Sequence, residues 1–143
     1  MTVTAQSRVG PSQTLLAGSA RPLLAHARAV LDEAAVADSA GERFRLAHLA
    51  ALRAAAAVFA ERGRPAGTRR RLVSAWVLLD AIAPEFGEWA AYFAAAAPAR
   101  AAVEAGATSA VTERDADDQL RAAQEFVRLV EASLGLLPVP LAS

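Results

Sequence analysis

The sequence predicts an all-α domain, an up-and-down bundle of four to five helices. Its 143 residues suit one domain with a sizeable core. Of these, 55% are apolar, and much of that share is alanine, a strong helix former whose small side chain lets helices approach closely. Apolar residues recur at helical spacing in successive segments, no period-two run appears, and short connections between long segments favour antiparallel neighbours.

Residues 1–18, with Gly10, Pro11 and Gly18, read as a flexible lead-in with a short helical turn around Thr14–Ala17. It precedes a bundle over 19–135 and a loose, proline-punctuated tail over 136–143. The first helix is expected from about Arg21 to Ala37, with Pro22 in its first turn, where a missing N–H costs nothing. Leu23, Ala27, Val30, Leu31 and Ala34 form its apolar stripe. The second starts at "SAGE", with Ser39 as N-cap and Glu42 completing a capping box, and runs to about Arg62. Phe44, His48, Leu52 and Phe59 share one narrow stripe of it, and alanines 54–57 leave other faces smooth.

Residues 62–71, "RGRPAGTRRR", hold five arginines and no acid, and Gly63, Pro65 and Gly67 mark them as a loop. A third helix over about 69–83 aligns Leu72, Trp76, Leu79 and Ala83. Asp80 is its one charge between Leu72 and Pro84, which implies burial on more than one side and an arginine partner for that carboxylate. Pro84 starts a fourth helix, with Glu85 in its first turn, Trp89, Phe93 and Ala96 on its stripe, and Phe86 and Tyr92 flanking. Pro98 should kink or break it, at a cost of ~3 kcal/mol, with a shorter segment resuming to about Ala105 before Gly106. The fifth helix opens at "TERD", where Thr112 and Asp115 make a second capping box, and Gly135 ends it. Ala116, Leu120, Ala123, Val127, Val130 and Leu134 trace its inner face; six acids against three arginines (Arg114, Arg121, Arg128) mark its outer one.

Composition also excludes. With no cysteine there is neither a disulfide nor a thiolate metal site. Two histidines, His26 and His48, without an H-E-x-x-H spacing give no metal site, and no cofactor is expected. All 15 basic residues are arginine, yet the net charge is +0, so no whole-chain electrostatic case for RNA, DNA or an anionic membrane exists. The N-terminus lacks the pattern of a signal peptide, and the apolar stretch 72–83 is short for a span, so a cytoplasmic protein without a membrane partner is expected.

Three stretches carry a family resemblance: "SAGERFRLAHLAALRAAAAVFA", "SAWVLLDAIAPEFGEWAAYFAAAAPARAAVEAG" and "ERDADDQLRAAQEFVRLVE". Together they resemble a small HEPN-like family of GC-rich bacteria, in order over roughly residues 20–133, with "PEFGEWAAYF" the most specific phrase. The resemblance implies an all-α bundle, often a homodimer. Many HEPN proteins are ribonucleases or toxins, and others bind nucleotides or protein partners without catalysis. Catalytic members carry an R-x4–6-H motif, usually late in the bundle, which dimerisation pairs over RNA.

Histidine moves protons near neutral pH and arginine holds a scissile phosphate, so Arg43–His48 and Arg21–His26 are the literal matches to that motif. Both lie early in the chain, and the last helix has no histidine. His48 lies in the middle of an apolar stripe, with Arg43 about 140° away around the helix. Arg43 as phosphate clamp and His48 as acid–base group are the candidate catalytic pair of a metal-independent ribonuclease; a core role for His48 is the competing reading. Arg62, Arg64, Arg69, Arg70 and Arg71 are candidate phosphate contacts. Trp76, Asp80, Glu85, Glu88 and Trp89 are candidates for a pocket or dimer seam. The leading expectation is an RNA- or nucleotide-binding module. The alternatives are a non-catalytic protein-interaction or dimerisation domain, and a small-molecule pocket between helices.

Overall fold

The computed structural model describes residues 11–63 and 74–136, with side chains from Ala20 onward. Its elements are α1 (Pro11–Ala35), α2 (Ala40–Arg62), α3 (Ala75–Ile82), a 3-10 turn (Pro84–Phe86), α4 (Gly87–Glu104) and α5 (Glu113–Ser133). No strand occurs among the described residues, and the expected all-α bundle is the architecture found.

The helix ends follow local chemistry. Ser39, in an extended conformation, accepts the Glu42 N–H through Oγ at 3.1 Å and opens α2. The reciprocal arm of that box is absent, because the Glu42 carboxylate instead takes Arg45 in two bonds of 3.0 and 2.7 Å. At α5 the box is complete: Asp115 N–H to Thr112 Oγ1 at 3.0 Å, and Thr112 N–H to Asp115 Oδ2 at 2.9 Å. Between them, α4 closes through Gly106, whose φ of +100° suits glycine. The Gly106 N–H then reaches Val103 O and the Ala107 N–H reaches Ala102 O, both at 2.9 Å, satisfying two terminal carbonyls.

Two prolines depart from the expected breaks. α1 begins at Pro11 rather than near Arg21, so Pro22 lies inside it, and α4 runs without interruption through Pro98. Both prolines are exposed. Ala94, whose carbonyl loses its helical donor to Pro98, is exposed as well, so water can reach that carbonyl and the cost of the interior proline falls.

α2 is the centre of the bundle, packed by α1, α3, α4 and α5. Ala47, Ala50, Ala51, Ala54, Ala55 and Ala57 are all fully buried, so α2 is covered on several faces rather than along one stripe. Pairings along the helices give their directions. Arg43 meets Glu113 and His48 meets Gln119, so α2 and α5 run parallel. Gly41 lies against Val103 and His48 against Phe93, so α4 runs antiparallel to both. α3 buries Trp76, Leu78 and Leu79 but leaves Val77, Asp80 and Ala81 exposed, so it is covered on one side only. Leu72, expected on its stripe, lies outside the described residues.

An aromatic cluster joins α3, α4 and α5. Trp76 stacks on Phe93 at 5.0 Å, Phe93 meets Phe126 at 5.6 Å, and Phe86 meets Phe126 edge-on at 5.6 Å. Each such pair adds about 0.5–1.5 kcal/mol beyond area burial, so these rings anchor the α4–α5 side of the bundle.

Candidate functional site

His48 belongs to the aromatic core. It is 1% exposed, with its ring perpendicular to Trp76 at 5.6 Å and to Phe93 at 5.9 Å. Gln119 Nε2, which only donates, lies 3.1 Å from His48 Nδ1, so that nitrogen accepts and the ring is neutral. Burial, and after it the charge of Arg100, pushes the imidazole pKa down to about 4.

Arg43 has a different set of partners. Its Nη1 donates to Glu113 at 2.8 Å and to Asp117 at 3.3 Å, and its Nη2 donates to the Ala37 carbonyl at 3.2 Å. It thereby ties the turn after α1 to the first turn of α5. The two members of the literal motif are not brought together: one is in the core, the other in an interhelical ion-pair network. In the earlier match, His26 Nδ1 accepts from Arg53 Nε at 3.1 Å in an exposed contact, and Arg21 lines a shallow pocket with Arg28 and Glu131.

Of the basic run, Arg62 bonds Glu85 at 2.6 Å, and Arg64, Arg69, Arg70 and Arg71 lie outside the described residues. Hydrogen bonding from Arg62 holds the Glu85 carboxyl below the usual carboxylate range. The five residues expected to share a pocket or seam separate. Trp76 is 3% exposed within the core, and Glu85 closes the ion pair with Arg62. Asp80 is exposed rather than buried against an arginine. It lies over the start of α4, with Oδ1 2.6 Å from where a Cβ on Gly87 would stand. Among the cavities lined by described residues, Glu88 and Trp89 share one.

That cavity is half of a groove. α4 and α5 both pack on α2, and they meet each other chiefly through Trp89, Phe93 and Phe126 beneath the surface. Above these rings the helices part. One cavity of about 390 Å³ is lined by Glu88, Trp89, Tyr92, Arg121, Ala122 and Glu125. The adjoining one, of about 360 Å³, has walls of Ala95, Ala96 and Ala99 from α4 and Asp115, Asp118 and Gln119 from α5, closed at one end by Phe44, Ala110 and Val111.

Tyr92 lines both cavities and stands between them, so the two follow one another along the α4–α5 seam. Its ring stands edge-on to Phe93 at 5.2 Å and is 42% exposed. Burial, then Asp118 and Asp115, raise its hydroxyl pKa, with Arg121 opposing them. The rim acids are partly satisfied, with Asp118 taking Arg121 at 2.5 Å and Glu125 taking Arg128 at 2.6 and 3.2 Å. Glu88 and Trp89 are two of the residues expected at a pocket or seam; the rest of the groove escaped prediction, although Tyr92 flanked the α4 stripe and the outer acids of α5 stood out. The available signal was α4 itself, whose exposed positions between Glu88 and Glu104 are alanine, proline and Tyr92, with no charge among them.

Among the described residues no group of three histidine, cysteine or acidic side chains could hold a metal ion, and no helix is long and apolar enough to cross a membrane. The family model for SAV_6107-like HEPN domains matches this chain over residues 34–131, which spans α2 to α5. No curated protein and no solved structure matches it.

Proposed function

The chain belongs to the SAV_6107-like HEPN family, and from that premise we propose that it is a non-catalytic interaction domain whose working face is the α4–α5 groove. The groove itself carries the reading: an apolar floor, an exposed tyrosine at its middle and charged rims are the composition of a recognition surface. The state of the histidine supports it. A general acid–base group must reach the proton it moves and titrate near the working pH. His48 is sealed among Trp76, Phe93 and Gln119 and stays neutral down to about pH 4.

Purification of the tagged chain from its own cells, comparing wild type with Ala95→Glu, tests this. A defined partner is expected to co-purify with wild type, to survive nuclease treatment, and to be lost from the variant at an unchanged melting temperature. RNA cleavage by the pure wild-type chain that disappears in a folded His48→Gln variant would sink the reading.

Family membership favours a second reading, phosphate contact through Arg62, Arg64, Arg69, Arg70 and Arg71. It requires RNA binding that weakens steeply with salt and is lost when Arg69, Arg70 and Arg71 are replaced together. No binding at low salt ends it.

A further inference from the structure

Resting on the interaction reading, we propose that the α4–α5 groove docks an amphipathic helix carrying lysine or arginine along its polar edges. Length comes first. The groove is walled by α4 from Glu88 to Ala99, which at about 1.5 Å per residue is roughly 16 Å, or three helical turns. Its walls admit a helix rather than an extended strand, because Ala95, Ala96, Ala99 and Ala122 let another backbone approach while Trp89 and Tyr92 offer ring surface to apolar anchors at i, i+3 and i+4. Both flanking elements are helices with satisfied backbones, so no sheet edge exists there for a strand to extend.

Charge selects the partner. Glu88 on one rim, and Asp115, Asp118 and Glu125 on the other, face a single lining cation, Arg121, which is already bonded to Asp118. Even with Arg128 bonded to Glu125, carboxylates prevail along both edges. A nucleic-acid backbone is repelled by such a surface. A second copy seated groove-to-groove would bring two sets of these carboxylates to one interface. A cationic helix meets them on both sides, and its apolar face covers Tyr92, whose 42% exposure is large for a tyrosine on an otherwise closed core.

The test is fluorescence anisotropy of the full chain with a labelled, end-capped helical peptide of leucine and lysine, leucines at i, i+3, i+4 and i+7. The control is the same peptide with glutamate for lysine. Saturable binding of the lysine peptide is expected, weakening several-fold between about 50 and 300 mM salt as rim charges are screened. Tyr92→Ala should weaken it roughly tenfold or more, and Glu88→Gln with Asp118→Asn several-fold, with circular dichroism melts unchanged. Equal binding of the glutamate peptide, or a folded Tyr92→Ala variant that binds as well as wild type, overturns the proposal. So does self-association that is lost in Tyr92→Ala while the lysine peptide goes unbound, since the occupant is then a second copy. A chain that holds its own partner through Ala95 yet ignores the lysine peptide keeps the broader reading and overturns this one.

Discussion

His48 shows how a polar side chain is made structural. Ordinary imidazole takes up a proton near pH 6.5, whereas this one holds off until about pH 4 because its charged form would sit among aromatic rings and near Arg100. The unfolded chain therefore binds more protons than the folded one between those values. Stability is full above about pH 6.5 and declines as pH falls through the window, by roughly 3 kcal/mol near its lower end. Urea unfolding from pH 7 to about 4.5 should show this slope, and His48→Gln should flatten it; identical slopes in the two proteins would contradict the assignment. The placement of His48 on a packing stripe was legible from the spacing of Phe44, His48, Leu52 and Phe59. Its partner was not, since Gln119 is 71 residues away and reaches it only because α2 and α5 run in register.

At the scale of the helices, capping chemistry and periodicity located α2 and α5 closely, because Ser39 and Thr112 announce their own helix starts. Proline was the weaker guide. Its cost depends on which side of the helix the orphaned carbonyl faces, and that is decided by packing rather than by neighbours in the chain. Pro98 remains a strain on α4 even with solvent beside it. Pro98→Ala restores a donor for the Ala94 carbonyl and should stabilise the domain by about 1–3 kcal/mol, read as a higher urea midpoint with an unchanged m value. Loss of stability on that substitution would mean the proline ring itself makes a packing contact. The core face of α4 is far less forgiving. Phe93 is fully buried against Trp76, Trp89 and Phe126, and Phe93→Ala should cost about 3–5 kcal/mol in the same assay.

Across the whole molecule, α1 is held by its seam with α2 and by a paired contact to α5, where Arg28 donates to Glu131 at 2.9 and 2.5 Å. The family match begins at residue 34, so nearly all of α1 lies ahead of it. Glu131→Gln should weaken the domain by only about 1 kcal/mol, since Arg28 is half exposed and screened. The change should register as faster amide exchange in α1 with α2 to α5 unaltered. Exchange that quickens uniformly would show α1 to be inseparable from the rest. The groove was the least legible feature beyond its Glu88–Trp89 end, for Tyr92 and Asp118 lie on consecutive helices and share it only because of how far those helices part while leaning on the same third one. That third helix has a consequence for how such a protein diverges. Six of the buried residues of α2 are alanines with no exposed surface, and added carbons at Ala50 or Ala54 would have to be accommodated inside the packed bundle, at a cost of about 1–3 kcal/mol. Substitution is thereby disfavoured along that buried axis, whereas the exposed sides of the surrounding helices escape the constraint. The rims of the groove lie outside that axis, so their charges can change while the alanine axle beneath them is undisturbed.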